Sequence, residues 1–138
     1  MTPVLSGRWQ SRLFLMGTVG VIVTFFFGLL FDDFVTVYAL LGYVFVVGAL
    51  SDVAYNYIQT LRWDHDWPPL VFVATGVWEG LVVFLLTRLV NLPGVADDLP
   101  ALNFLAHCTT VFVAIFIVNW GPMKVFFPKW RYRGGRIV

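Results

Sequence analysis

Four apolar runs, Leu13 to Phe31, Phe34 to Tyr57, Leu70 to Leu89 and Leu102 to Trp120, constrain this chain more than any other feature. Each holds about twenty residues with few or no charges, the length an α-helix needs to cross a hydrocarbon core. In a bilayer the backbone must satisfy its own hydrogen bonds, so runs of this kind become helices. The expected fold class is therefore an all-α membrane protein, four transmembrane helices in an antiparallel bundle. The composition agrees. Hydrophobic residues make up 59% of the chain and charged residues 12%, with a mean hydropathy of +0.82, whereas a soluble domain carries roughly 25% charged residues.

The spans use most of the 138 residues, leaving short tails and connections that cannot fold separately. One domain, 1–138, is expected, with 121–138 as a basic aromatic tail. Arg8 and Arg12 before span one give it the look of a signal peptide. However, its apolar stretch exceeds the roughly 7 to 15 residues of a signal core, and no small-x-small cleavage pattern follows Phe31. Span one is expected to remain as a helix.

All but one of the nine Lys and Arg residues fall on one side when the helices alternate: Arg8, Arg12, Arg62, Lys124, Lys129, Arg131, Arg133 and Arg136. The other side has Asp32, Asp33, Asp97, Asp98 and Arg88. By the positive-inside rule both termini are expected in the cytoplasm, in a bacterial inner membrane or an equivalent internal membrane. The net charge of +1 offers nothing to attract nucleic acid.

Small residues recur at helical spacing. Gly20, Thr24 and Gly28 in span one and Gly76 and Gly80 in span three predict close helix packing, within the chain or in a homo-oligomer. Polar residues recur as well. Span two carries Gly48, Asp52, Asn56 and Thr60 at steps of four, and span three carries Thr75 and Glu79. Counted outward from the turn that joins the two spans, Asp52 and Glu79 lie at similar depth. Each carboxylate costs about 2.5 to 3.5 kcal/mol to insert, so the pair is expected to face the bundle interior. If the two meet, they repel, and one is protonated or a cation is recruited. Asp52, Asn56, Thr75 and Glu79 thus form the candidate intramembrane polar or ion site; the structural alternative is that Asp52 and Glu79 hydrogen-bond to neighbouring helices, or reach Arg62 and partner residues, and hold the bundle together.

No cofactor or metal is expected. Asp64, His65 and Asp66 are adjacent and cannot close on one ion without further ligands, and Asp66 before Pro68 and Pro69 also reads as a helix start. His65 and His107 belong to opposite leaflets, which argues against a bis-histidine haem within one chain. His107 reads instead as a hydrogen-bonded structural residue. Cys108 is the only cysteine, so paired-thiol chemistry is excluded.

The tail alternates aromatic and basic residues, among them Lys124, Lys129, Trp130, Arg131, Arg133 and Arg136. Each basic residue near an anionic leaflet adds about 1 kcal/mol of attraction, so the tail is expected to dock on lipid headgroups or on another membrane protein.

In size and span count the chain resembles the small multidrug transporters, but those place an essential glutamate in the first helix, where this chain has no acid. No nucleophile, base and orienting group converge by spacing. The leading expectation is a non-enzymatic subunit or accessory/assembly factor of a membrane complex. The alternative is a small proton- or cation-linked transporter or channel that uses Asp52 and Glu79.

Overall fold

The computed structural model describes residues 3–63, 68–130 and 132–137. Four helices long and apolar enough to cross a membrane pack as an all-α bundle: α1 (Leu5–Phe31), α2 (Phe34–Thr60), α3 (Pro69–Leu89) and α4 (Ala101–Trp120). A short helix, α5 (Pro122–Phe126), follows α4. This is the pattern of an integral membrane protein.

Two of these helices run past the apolar runs that announce them. Helix α1 begins at Leu5 rather than Leu13, which brings Arg8 and Arg12 into the helix. Helix α2 continues through Thr60. A π turn at Met16–Gly20 interrupts α1, a widening that resets the face presented by the following residues.

Local chemistry sets the ends. Asp32 closes α1 in the left-handed region at φ 52°, a conformation that aspartate tolerates better than most residues. Asp33 then caps α2, its carboxylate accepting a hydrogen bond from the Thr36 amide at 2.9 Å. This contact with Thr36 holds the Asp33 carboxyl below the usual carboxylate range. Pro69 occupies the first turn of α3, where its missing N–H costs little.

The third connection folds back over the same end. Tyr43 donates to the Pro93 carbonyl, the Ala96 amide donates to Thr36 Oγ1, and Arg88 donates to the Leu99 carbonyl. At the other end the tail is tied to α1: the Val4 amide donates to the Gly134 carbonyl at 2.8 Å.

Three apolar clusters form the core. Leu15, Met123 and Trp130 lie at the end that holds the tail, Met16, Leu41 and Val111 pack midway, and Leu40, Val83 and Phe104 pack beneath the third connection. The glycines and Thr24 expected at packing seams take different places. A methyl on Gly28 would run into the Phe34 ring, one on Gly76 would run into Phe112, and one on Gly20 would lie 3.2 Å from Leu41. Thr24 is fully buried. Gly80, by contrast, faces open space with nothing within 4 Å, so the Gly76 and Gly80 pair is only half a packing seam within this chain. Helix α3 is the least embedded of the four, with Glu79 and Val83 as its buried residues.

Candidate functional site

The side chains of Asp52 and Glu79 reach the same point in the bundle, and the residue between them is Arg12 of α1. Arg12 Nε and Nη2 donate to the two Asp52 oxygens at 2.8 and 3.1 Å. Its Nη1 and Nη2 donate to the two Glu79 oxygens at 2.8 and 2.9 Å. Both contacts are bidentate, the strongest geometry available to a guanidinium and a carboxylate. The side chains are 17% exposed for Arg12, 5% for Asp52 and 7% for Glu79. One cation therefore closes two buried acids and ties α1, α2 and α3 together.

This arrangement corrects the place given to Arg12 by its position ahead of the apolar run. It is a buried partner rather than a flanking charge. Asp52 and Glu79, whose similar depth the sequence implied but whose facing it left open, meet across Arg12, so the cation that relieves their repulsion comes from the chain itself.

The backbone makes room for this contact. A Cβ at Gly48, one turn before Asp52, would collide with the Arg12 guanidinium and approach Glu79 Oε2 to 2.7 Å. Only glycine leaves the guanidinium space to lie between the two helices. Arg8, one turn earlier on α1, donates from Nη2 to Gln59 Oε1 at 2.8 Å. Arg8 and Arg12 with Asp52 and Glu79 make a group of two cations and two anions.

The other two residues of the candidate site stand apart from this cluster. Thr75 donates to the Phe72 carbonyl of its own helix at 2.9 Å. Asn56 is half-buried, while the buried members of α2 from Gly48 onward are Gly48, Asp52, Tyr55 and Gln59. A step of four advances about 40° beyond a full turn, so the series through Asn56 and Thr60 drifts away from the interior. The stripe that stays inward alternates steps of four and three.

A second polar contact lies nearer the opposite end. Thr24 Oγ1 and His107 Nε2 are 3.0 Å apart, both buried, and the Phe27 ring meets the imidazole edge-on at a centroid distance of 5.3 Å. His107 is thus the hydrogen-bonded residue its sequence position suggested. Its Nδ1 and Trp120 Nε1 are buried polar atoms without a hydrogen-bond partner among the described residues. Both residues line a cavity of about 460 Å³ between the helices, whose wall also includes Arg12, Asp52 and Glu79.

The tail residues divide by role. Trp130 is 4% exposed and donates to Ser11 Oγ at 2.7 Å, while Ser11 donates to the Gly135 carbonyl. The Ile137 amide donates to Gln10 Oε1, and Arg136 Nε to Ser6 Oγ. A methyl on Gly7 would strike the Gly134 carbonyl, so the glycine pair of the tail sits flush on α1. Lys124 lies over the Trp120 ring at 4.7 Å. Lys129 and Arg133 remain exposed. Trp130 therefore anchors the tail to its own chain rather than presenting it to headgroups.

Arg131 and the acidic trio Asp64, His65 and Asp66 lie outside the described residues. No group of three or more His, Cys, Asp or Glu residues placed to hold a metal ion occurs among the described residues. Arg8, Arg12, Tyr55 and Gln59 escaped the sequence reading. A signal for Arg12 does exist: it begins the series Arg12, Met16, Gly20, Thr24 and Gly28 at steps of four, of which the later members are buried. No family model, curated protein or solved structure matches the chain.

Proposed function

We propose that the chain is a non-enzymatic integral membrane subunit or accessory factor, oriented with both termini in the cytoplasm. The observation that carries this reading is the tied tail. Buried Trp130 and the contacts to Ser6, Gln10 and Ser11 fix it on α1, while Lys129, Arg133, Tyr132, Val125 and Phe126 stay exposed on its outer side. A basic and aromatic surface held in place binds with less loss of entropy than a free segment of the same composition. A partner with an acidic, partly apolar face is the match for it.

Arg12 weighs against the competing reading of proton- or cation-linked transport. Both carboxylates already hold bidentate bonds to a guanidinium, and a transported cation would have to break them. What favours transport is the cavity, which reaches both acids.

Two experiments separate the readings. Native purification in mild detergent is expected to recover a stoichiometric partner or a homo-oligomer, and K129E/R133E is expected to lose it. A strictly monomeric wild-type chain overturns the subunit reading. In proteoliposomes, ion flux that is present in wild type and abolished by D52N/E79Q would establish transport instead.

A further inference from the structure

The cavity has the form of a ligand site, and its occupant can be inferred from its mouth, wall and charge. Four of its lining residues are also exposed on the outside of the bundle: Val77 and Leu81 of α3 and Leu105 and Thr109 of α4. The mouth therefore lies between α3 and α4, within the length that crosses the membrane. What enters there arrives from the hydrocarbon rather than from water. Gly80 stands on the wall with nothing within 4 Å, so the space is kept by the absence of a side chain.

The wall is apolar along most of its length, with Phe72, Phe112 and Ile115 among its residues. Polar groups occur at both ends. At one end are the buried, unpartnered Trp120 Nε1 and the buried Asn119, and at the other is His107, 1% exposed, with an unused Nδ1. His107 and Trp120 are separated by about 20 Å along α4 at the helical rise of 1.5 Å per residue. An apolar shaft with a few placed hydrogen-bonding groups and a volume of several hundred Å³ is the usual make-up of a small-molecule site. The indole N–H is donor-only, so it calls for an acceptor oxygen. The charges on the cavity wall, Arg8, Arg12, Asp52 and Glu79, sum to zero and give no net attraction to an ionic headgroup.

We infer that this cavity binds an elongated, uncharged membrane amphiphile, its carbonyl or hydroxyl oxygen accepting from Trp120 Nε1 and its apolar body lying past Gly80 between α3 and α4. The buried side of the tail, through Trp130, helps to line this cavity, but the exposed Lys129 and Arg133 do not, so the proposal stands whether or not a protein partner docks on them.

The test uses the full-length protein in detergent, with 1-monooleoylglycerol as the neutral probe. Oleate and 1-oleoyl-lysophosphatidate carry the same chain on charged headgroups. Native mass spectrometry is expected to show one monooleoylglycerol per chain and weaker adducts with both charged probes. Gly80→Leu fills the shaft and should reduce apparent affinity at least about tenfold, while its melting temperature in the absence of probe stays at the wild-type value. Trp120→Phe should weaken binding by about two- to tenfold, the equivalent of one hydrogen bond. Should Gly80→Leu fail to fold, Thr109→Trp at the exposed rim blocks the same entrance without touching the core. Absence of a one-to-one adduct, equal occupancy in wild type and the blocked variant, or equal binding of the charged probes overturns the proposal.

Discussion

Removing Arg12 should damage the bundle more than removing either acid it binds. In the native chain four N–H groups of one guanidinium point at four carboxylate oxygens at 2.8 to 3.1 Å. Arg12→Gln leaves Asp52 and Glu79 buried without that cation. Removing one partner of a buried ion pair costs about 3 to 5 kcal/mol, and here a single substitution removes the partner of two acids, so the upper part of that range is expected. Glu79→Gln acts differently. It leaves Arg12 and Asp52 as a bidentate one-to-one pair, and the neutral amide still accepts from Nη1. Its cost is about 1.5 to 3 kcal/mol, the worth of a hydrogen bond to a charged group.

The assay is equilibrium unfolding of the purified protein in mixed micelles, with Arg12→Gln, Glu79→Gln, Asp52→Asn and the double variant R12Q/E79Q compared. The double variant carries one unpaired acid instead of two. It should therefore recover part of the loss seen with Arg12→Gln, which requires a favourable coupling larger than the cost of Glu79→Gln itself, at the upper end of the roughly 0.5 to 3 kcal/mol found between contacting residues. If Arg12→Gln is as mild as Glu79→Gln, or the double variant is no better than Arg12→Gln alone, then the guanidinium is not what neutralises the acids.

The neighbouring contacts give further expectations. Gly48→Ala gains about 1 kcal/mol of helix propensity but places a methyl against the Arg12 guanidinium and near Glu79 Oε2, so a net loss of stability is expected in the same unfolding assay, and a smaller one in an R12Q background, where the Glu79 contact alone remains. Thr24→Val leaves the His107 ring without its observed hydrogen bond and should cost about 1 to 3 kcal/mol. Trp130→Ala vacates a buried aromatic site, and limited trypsin digestion should then cut the tail at Lys129 and Arg133 much faster than in wild type. Asp33→Ala removes the cap on α2 and should cost about 0.5 to 2 kcal/mol at neutral pH. Because Asp33 titrates below its unfolded value, that difference is full above about pH 4. It vanishes as pH falls through the folded value, which a pH series of the two melting temperatures will show.

The parts of this fold that could be read from the sequence are those that depend on one helix at a time. Hydropathy finds the four spans because each must satisfy its backbone alone in hydrocarbon. The equal depth of Asp52 and Glu79 follows from counting outward from a single turn. Arg12 was hidden for a related reason. Any measure that seeks uncharged windows begins the first span after it, and charge bias then accounts for it as a topological signal. A buried cation beside two buried acids is cheap to insert, whereas each group judged alone is expensive, so a residue-by-residue scale places the boundary on the wrong side of Arg12. The tail was legible in part. Its aromatic and basic composition suits a membrane surface, but Ser6, Gln10 and Ser11 give Trp130 and the Gly134–Gly135 backbone specific partners on α1. Both features converge on α1 before Leu13, where one face of the helix carries Arg8 and Arg12 into the bundle and another receives the tail. The polar character that makes this segment look like a cytoplasmic flank is what allows it to join the ion cluster to the tail, and substitutions there should disturb both together.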